Sequence, residues 1–263
     1  MKFDNVMVPL DGSLLSDMVL DIATNSGEYF GTHLTFLYVV DVSQAIRFGE
    51  VDSTATVIRL RTEGKIVLEN AAKLAESRNI ECTTELVEGV PWKVISEKSK
   101  EQDMIIMGVT GKSGLAAGRV GETAAKVIES CFCPVLTIKS GSKQIKDILL
   151  PITNEHMAAI DIAIETAKRV DGHITVFSSE SKHVKPEELV NSVVEKCEVA
   201  GVKATGEVGH GDAVEAIVSR SGKYDLVIMG TEGRQGLKKI LNGSVAERVM
   251  PNAACPVTIV RDF

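Results

Sequence analysis

Short apolar runs alternate along the chain with longer stretches of helical period. In the first half the runs are Asn5 to Leu10, Leu34 to Val40, Glu81 to Glu88, Asp103 to Gly108 and Pro134 to Lys139. Each is short and rich in Val, Ile, Leu or Thr, and is flanked by Gly, Pro, Asn or Asp. Such runs read as buried strands. The segments between them repeat their apolar positions every three or four residues and predict four helices. Ser13 is placed to cap the first, Pro91 suits the opening turn of the third, and Gly121 or Glu122 opens the fourth. The second half predicts strands near Asp147 to Leu150, His173 to Phe177, Ala204 to Val208, Asp225 to Gly230 and Pro256 to Arg261, with Pro186 starting its second helix. Regular strand–helix alternation is the signature of βα units around a parallel sheet, so the fold class is α/β, in two tandem doubly wound domains. The polar stretch Ser140-Gly-Ser-Lys-Gln144 places the boundary, giving domains 1–142 and 143–263.

The two halves are copies. Asp103-Met-Ile-Ile-Met-Gly-Val-Thr-Gly-Lys-Ser-Gly-Leu115 returns as Asp225-Leu-Val-Ile-Met-Gly-Thr-Glu-Gly-Arg-Gln-Gly-Leu237, a shift of 122. The register then holds without a gap, with Gly121 on Gly243 and Cys133-Pro134-Val135 on Cys255-Pro256-Val257. Val6 to Pro9 matches Ile148 to Pro151 at a shift of 142, so the first repeat carries 142 − 122 = 20 extra residues. They are expected at about 42–62, where Gln44 to Thr56 has no clean periodicity.

Composition narrows the function. A length of 263 residues suits two domains, and 44% hydrophobic with 25% charged residues describes folded globular sequence. The net charge of −7 lacks the surplus of Lys and Arg on which non-specific binding to nucleic acid or anionic lipid depends. No nucleic-acid or membrane partner is expected. The start, Met1-Lys2-Phe3-Asp4-Asn5, shows no basic leader, and runs such as Leu34 to Val40 fall short of the ~20 residues that span a bilayer, so a cytoplasmic location is expected. Five cysteines, Cys82, Cys131, Cys133, Cys197 and Cys255, are too sparse for a disulfide framework and read as buried structural thiols.

Ligands of doubly wound sheets bind at the carboxyl ends of the strands, where strand order reverses. After the fourth strand of the second repeat the chain runs Gly230-x2-Gly233-x9-Gly243-Ser244. Glycines admit backbone N–H groups to phosphate oxygens, and a following helix N-terminus adds free donors and partial positive charge. Arg234, Lys238 and Lys239 could add countercharge. The bland alternative is turn glycines followed by a capping box of Ser244 and Glu247. Gly111-Lys112-Ser113 is not a P-loop, because position 106 is Ile106 where a glycine is needed, and Gly209-His-Gly211 reads as a turn. His33 and His173 occupy equivalent sites before the second strand and read as structural. No Ser–His–Asp set, purposeful carboxylate pair or metal-ligand spacing accompanies the loop, and no catalytic or metal-binding residue is assigned.

These marks together resemble the universal stress protein family, tandem form, over nearly the whole chain. They are Pro9-Leu10-Asp11-Gly12-Ser13 at the end of strand one, Met-Gly before the loop, Gly-x2-Gly-x9-Gly-Ser, and the Cys-Pro-Val final strand. The resemblance implies a five-stranded parallel sheet with four helices per repeat, the adenine nucleotide alpha hydrolase-like fold. It also implies an adenine nucleotide, ATP, ADP or AMP, with or without Mg, as ligand. Its implied contacts are Asp11, Val39, Gly108, Gly111 and Gly121 in the first repeat and Thr153, Gly230, Gly233, Gly243 and Ser244 in the second. Family practice implies pairing of the two repeats through their last strands, Val135 to Lys139 and Val257 to Arg261, and leaves room for a homodimer.

Neither repeat carries the whole pattern. Glu122 stands where Ser or Thr is expected and Ala124 where a second hydroxyl is. In the other repeat Thr153 replaces the Asp and Ser179 takes the position of Val39. On charge grounds Glu122 is expected to repel a phosphate chain, leaving adenosine or AMP to the first repeat and ATP to the second. The expected function is stress sensing or adaptor action through bound adenine nucleotide, with at most slow ATP hydrolysis. Alternatives are an interaction scaffold without nucleotide, or a binder of another small apolar ligand in a degenerate site.

Overall fold

A computed structural model describes residues 3–30, 32–41, 53–110, 120–139, 144–153, 156–179, 185–231 and 245–261. The chain divides into two compact units, residues 2–138 and 139–263. In the first, β1 (Asn5–Pro9), β2 (His33–Val40), β3 (Cys82–Glu88), β4 (Met104–Gly108) and β5 (Val135–Ile138) form a parallel sheet in the order β3-β2-β1-β4-β5. Its helices are α1 (Leu14–Phe30), α2 (Ser53–Ser77), α3 (Pro91–Lys98) and α4 (Glu122–Ser130), with a 3-10 turn at Ser99–Glu101. The second unit repeats the plan with β6 (Asp147–Pro151), β7 (His173–Ser179), β8 (Lys203–Gly209), β9 (Leu226–Thr231) and β10 (Val257–Arg261), ordered β8-β7-β6-β9-β10. Its helices are α5 (Met157–Val170), α6 (Pro186–Val199), α7 (Ala213–Ser221) and α8 (Val245–Val249).

Each sheet is a doubly wound α/β sheet, as its alternation of strand and helix dictates. The middle strands are apolar almost throughout because helices cover both faces. Met7, Leu34, Phe36, Leu37 and Ile105 are fully buried in one unit, and Ile148, Leu149, Leu150, Phe177 and Ile162 in the other. Each such side chain contributes roughly 1.5–3 kcal/mol by leaving water. The edge strands β3 and β8 are far less buried, with Thr84 and Glu207 exposed.

Duplication shows in the hydrogen bonds. Asp103 Oδ2 accepts the backbone N–H of Asp4 and of Asn5 at 2.9 Å each, and Asp225 Oδ2 accepts those of Lys146 and Asp147 at the same distance. These carboxylates pin the amino ends of the two central strands together. His33 Nε2 lies 3.3 Å from Thr83 Oγ1, and His173 Nε2 lies 3.2 Å from Thr205 Oγ1. Both histidines therefore serve cross-strand contacts. Ser99 Oγ accepts the Phe132 N–H and Ser221 Oγ that of Ala254, at 2.9 Å each.

One expectation needs correction. The stretch to Thr56 reads as aperiodic, yet Ser53 to Thr56 open α2, which runs 25 residues against 14 in its counterpart α6. Leu60, Leu68, Ala71 and Ala75 supply its buried stripe. Much of the first repeat's extra length is thus helix; residues 42–52 lie outside the described residues. The helix starts obey the expected signals elsewhere. Ser13 Oγ accepts the Ser16 N–H at 3.2 Å ahead of α1, Pro91 and Pro186 occupy the first turns of α3 and α6, and Gly121 caps α4.

Candidate functional site

The order β3-β2-β1-β4-β5 puts the switch point between β1 and β4, and β6 with β9 is its counterpart. Past β1 the Leu10 N–H donates to the Leu37 carbonyl at 2.8 Å, and the chain then turns outward. Asp11, half-buried, accepts the Ser13 N–H at Oδ1, 3.0 Å, while its own N–H donates to Ser16 Oγ at 3.2 Å. Gly12 between them has φ of +73°, a conformation that side chains disfavour. The loop is thereby fixed with the carboxylate at the mouth of the sheet. Val39, half-buried near the end of β2, stands in register with Val87.

Past β4 the Val109 N–H donates to the Ile138 carbonyl at 2.9 Å, and the Val109 carbonyl receives the Gly121 N–H at 2.8 Å. The connection from β4 to α4 is therefore closed at its base on the switch point. Gly121 is buried and extended (φ −64°, ψ 146°), and α4 starts from it. Gly111 lies outside the described residues, as do Gly233, Gly243 and Ser244. The structure brings Asp11, Val39, Gly108 and Gly121 to the carboxyl ends of neighbouring strands of one sheet. Thr153 and Gly230 hold the corresponding places in the other.

Gly108 and Gly230 have a packing reason of their own. A Cβ on Gly108 would stand 2.8 Å from Leu15 Cδ2, and one on Gly230 would stand 2.7 Å from His156 Cγ. The missing side chain lets the first turn of α1, or the residue capping α5, settle on the strand end. His156 is buried, whereas Thr153, in the position of Asp11, is exposed. Sequence offers only a weak signal for His156, a polar ring just ahead of a helix in a region where the first repeat uses Leu15.

Glu122 in the first turn of α4 pairs with Lys126, Oε1 to Nζ at 2.6 Å, on the helix surface. The neighbouring ammonium offsets part of the carboxylate's charge, which weakens the expected repulsion of a phosphate chain from the first repeat. The four-residue spacing was the available signal. Lys126 also lies 5.3 Å from the centroid of Trp92.

Cys131, Cys133, Cys197 and Cys255 are buried and Cys82 is half-buried. Burial, with Glu198 adding to it, pushes the Cys197 thiol up to about 11. Burial and Asp225 do the same for Cys255, and Cys133 is raised further by burial, Cys131 and Asp103. Among the described residues no group of three His, Cys, Asp or Glu is placed to hold a metal ion.

The model of the universal stress protein family matches residues 2–139 and 177–261. The chain belongs to the universal stress protein family. Universal stress protein MJ0531 of Methanocaldococcus jannaschii is 34% identical over 145 residues, covering 54% of this chain and 85% of that protein. Universal stress protein Rv2005c of Mycobacterium tuberculosis is 26% identical over 288 aligned positions, covering 99% of this chain and 98% of its own length. The crystal structure of a universal stress protein from Archaeoglobus fulgidus superposes with a TM-score of 0.84 at 17% identity, over 99% of this chain and 97% of that one. Two universal stress protein domains in tandem thus account for the whole fold. No helix among the described residues is long and apolar enough to cross a membrane.

Proposed function

We propose that this universal stress protein binds an adenine nucleotide in the cytoplasm and acts as a sensor or adaptor, with the first repeat as its principal site. The domain boundary near residue 142 and pairing of the repeats through their last strands are part of the same reading. The observation that carries it is the loop after β1. Asp11 is held at the mouth of the sheet by its bond to the Ser13 N–H, beside a β4–α4 connection closed by Gly121 on Val109. A carboxylate suits ribose hydroxyls, which donate, and backbone N–H groups beside glycines with a helix N-terminus suit phosphate oxygens. Gly111 is assigned to the first cradle on its place in the glycine pattern, and Gly233, Gly243 and Ser244 to that of the second repeat.

Two features favour the first repeat. Its carboxylate has no counterpart in exposed Thr153, and Lys126 balances Glu122. Mg would accompany a triphosphate through the ligand's own oxygens. At most slow hydrolysis of bound ATP belongs to the same reading. Calorimetric titration with ATP, ADP and AMP tests the reading: saturable heat with a raised melting temperature supports it. No heat and no thermal shift at millimolar nucleotide would sink it and favour an interaction scaffold.

A further inference from the structure

One array at the carboxyl end of the first sheet has no part in the contacts assigned to the nucleotide above. Trp92, the single tryptophan of the chain, is the second residue of α3. Lys126 of α4 holds its Nζ 5.3 Å from the Trp92 ring centroid and 2.6 Å from Glu122 Oε1, and Lys93 Nζ approaches the same ring at 5.6 Å. Lys126 thus spans from an aromatic face on one helix to a carboxylate in the first turn of another. Neither attachment is strong. The Lys126 and Glu122 side chains are 40% and 69% exposed, where water and salt weaken both an ion pair and a cation–π contact.

A lysine is a flexible point charge that can change partners, and a phosphate offers more charge and more acceptor oxygens than one carboxylate. Lys126 lies one helical turn beyond Glu122, and its Nζ reaches back to that first turn, whose cap Gly121 is where the β4–α4 connection closes on Val109. A phosphate chain bound there would share the ammonium group with Glu122 and draw it off the Trp92 face. Adenosine, lacking the anion, would leave the resting contacts in place.

Resting on the nucleotide reading above, we propose that Lys126 is the phosphate-selecting residue of the first repeat. Its ammonium turns from the Trp92 face to bridge Glu122 and the ligand's phosphates, so it sets the preference for phosphorylated over unphosphorylated adenosine. Trp92 then reports the exchange. The test is titration of the full chain with ATP and with adenosine, followed by calorimetry and Trp92 emission, in the parent, Lys126→Gln and Lys126→Arg. Lys126→Gln should weaken ATP about five- to tenfold and adenosine less than about twofold, as expected for losing one partly screened charge-assisted contact. Lys126→Arg should restore ATP binding, and the parent's emission should respond to ATP but not to adenosine. Equal ATP affinity in parent and Lys126→Gln, or equal emission responses to the two ligands, would overturn the proposal while leaving nucleotide binding intact. If neither ligand binds the parent, the nucleotide reading fails and takes this inference with it.

Discussion

Asp11 has two roles that a pair of substitutions can separate. Its Oδ1 already accepts the Ser13 N–H, so some of its worth lies in shaping the turn before α1. Asn keeps an oxygen for that bond and Ala does not. Asp11→Ala should therefore cost about 0.5–1.5 kcal/mol of stability for one part-buried hydrogen bond, and Asp11→Asn close to none. Adenosine affinity should fall more than about tenfold in Asp11→Ala when the carboxylate also receives a ribose hydroxyl. Urea unfolding and calorimetry on both variants check this; normal affinity in Asp11→Ala would reduce Asp11 to a turn residue. The thiols give a second residue-scale expectation. A buried thiol with its pKa raised to about 11 is favoured neutral in the fold, so Cys197 and Cys255 contribute stability that is complete below the ordinary value of 9.0 and lost as pH rises through about 11. Iodoacetamide near pH 8 should spare Cys131, Cys133, Cys197 and Cys255, label Cys82 slowly, and label all five in denaturant, as mass spectrometry would show. Rapid native labelling of Cys255 would contradict the buried reading.

At the scale of elements, the glycine ending β4 and its counterpart in β9 test whether the position serves packing or ligand. Gly108→Ala drives a Cβ to 2.8 Å from the end of a flexible Leu15, whereas Gly230→Ala meets His156 at 2.7 Å from Cγ and 2.9 Å from Cβ, the root of a stiff ring. Overpacking of this kind costs about 1–3 kcal/mol, and Gly230→Ala should lie at the upper end. His156→Ala in the Gly230→Ala background should recover part of that loss, a coupling read by a double-mutant cycle in urea. Additive losses would mean that the ring and the glycine do not meet. The strands, the caps and the duplication were legible in the sequence because they rest on local signals: period-two or continuous apolar runs, Pro at first turns, and Ser13 before α1. The start of α2 was not, because the apolar period that marks the helix becomes clear only from Leu60 onward, and its opening residues extend that longer periodic segment. The packing of His156 on Gly230 was also hidden, a contact between residues 230 − 156 = 74 positions apart that no local pattern encodes. The Glu122–Lys126 pair was legible from spacing, but its reach to Trp92 needed α3 and α4 set side by side.

For the whole molecule, duplication supplies an internal control, since most positions of one repeat have a partner in the other. The two candidate sites share their place in the sheet and differ in chemistry. One has Asp11 and a Glu122 paired with Lys126; the other has exposed Thr153 and buried His156. Ligand that binds only the folded form stabilises it by RT ln(1 + [L]/Kd), about 2.7 kcal/mol at a hundredfold excess over Kd, and the added protection belongs to the unit that holds it. Amide hydrogen exchange of the full chain at saturating ATP should therefore slow at Leu10 to Ser13, at Val109 and Thr110, and at Gly121 to Lys126. The equivalent amides at Ile152, Thr153, Thr231 and Val245 to Arg248 should exchange as they do without ligand. Asp11→Ala should remove the first pattern at the same ATP concentration, whereas Thr153→Ala should leave it unchanged. Protection confined to the second set, or surviving Asp11→Ala undiminished, would move the principal site to the second repeat and make the balance of Glu122 by Lys126 irrelevant to ligand choice.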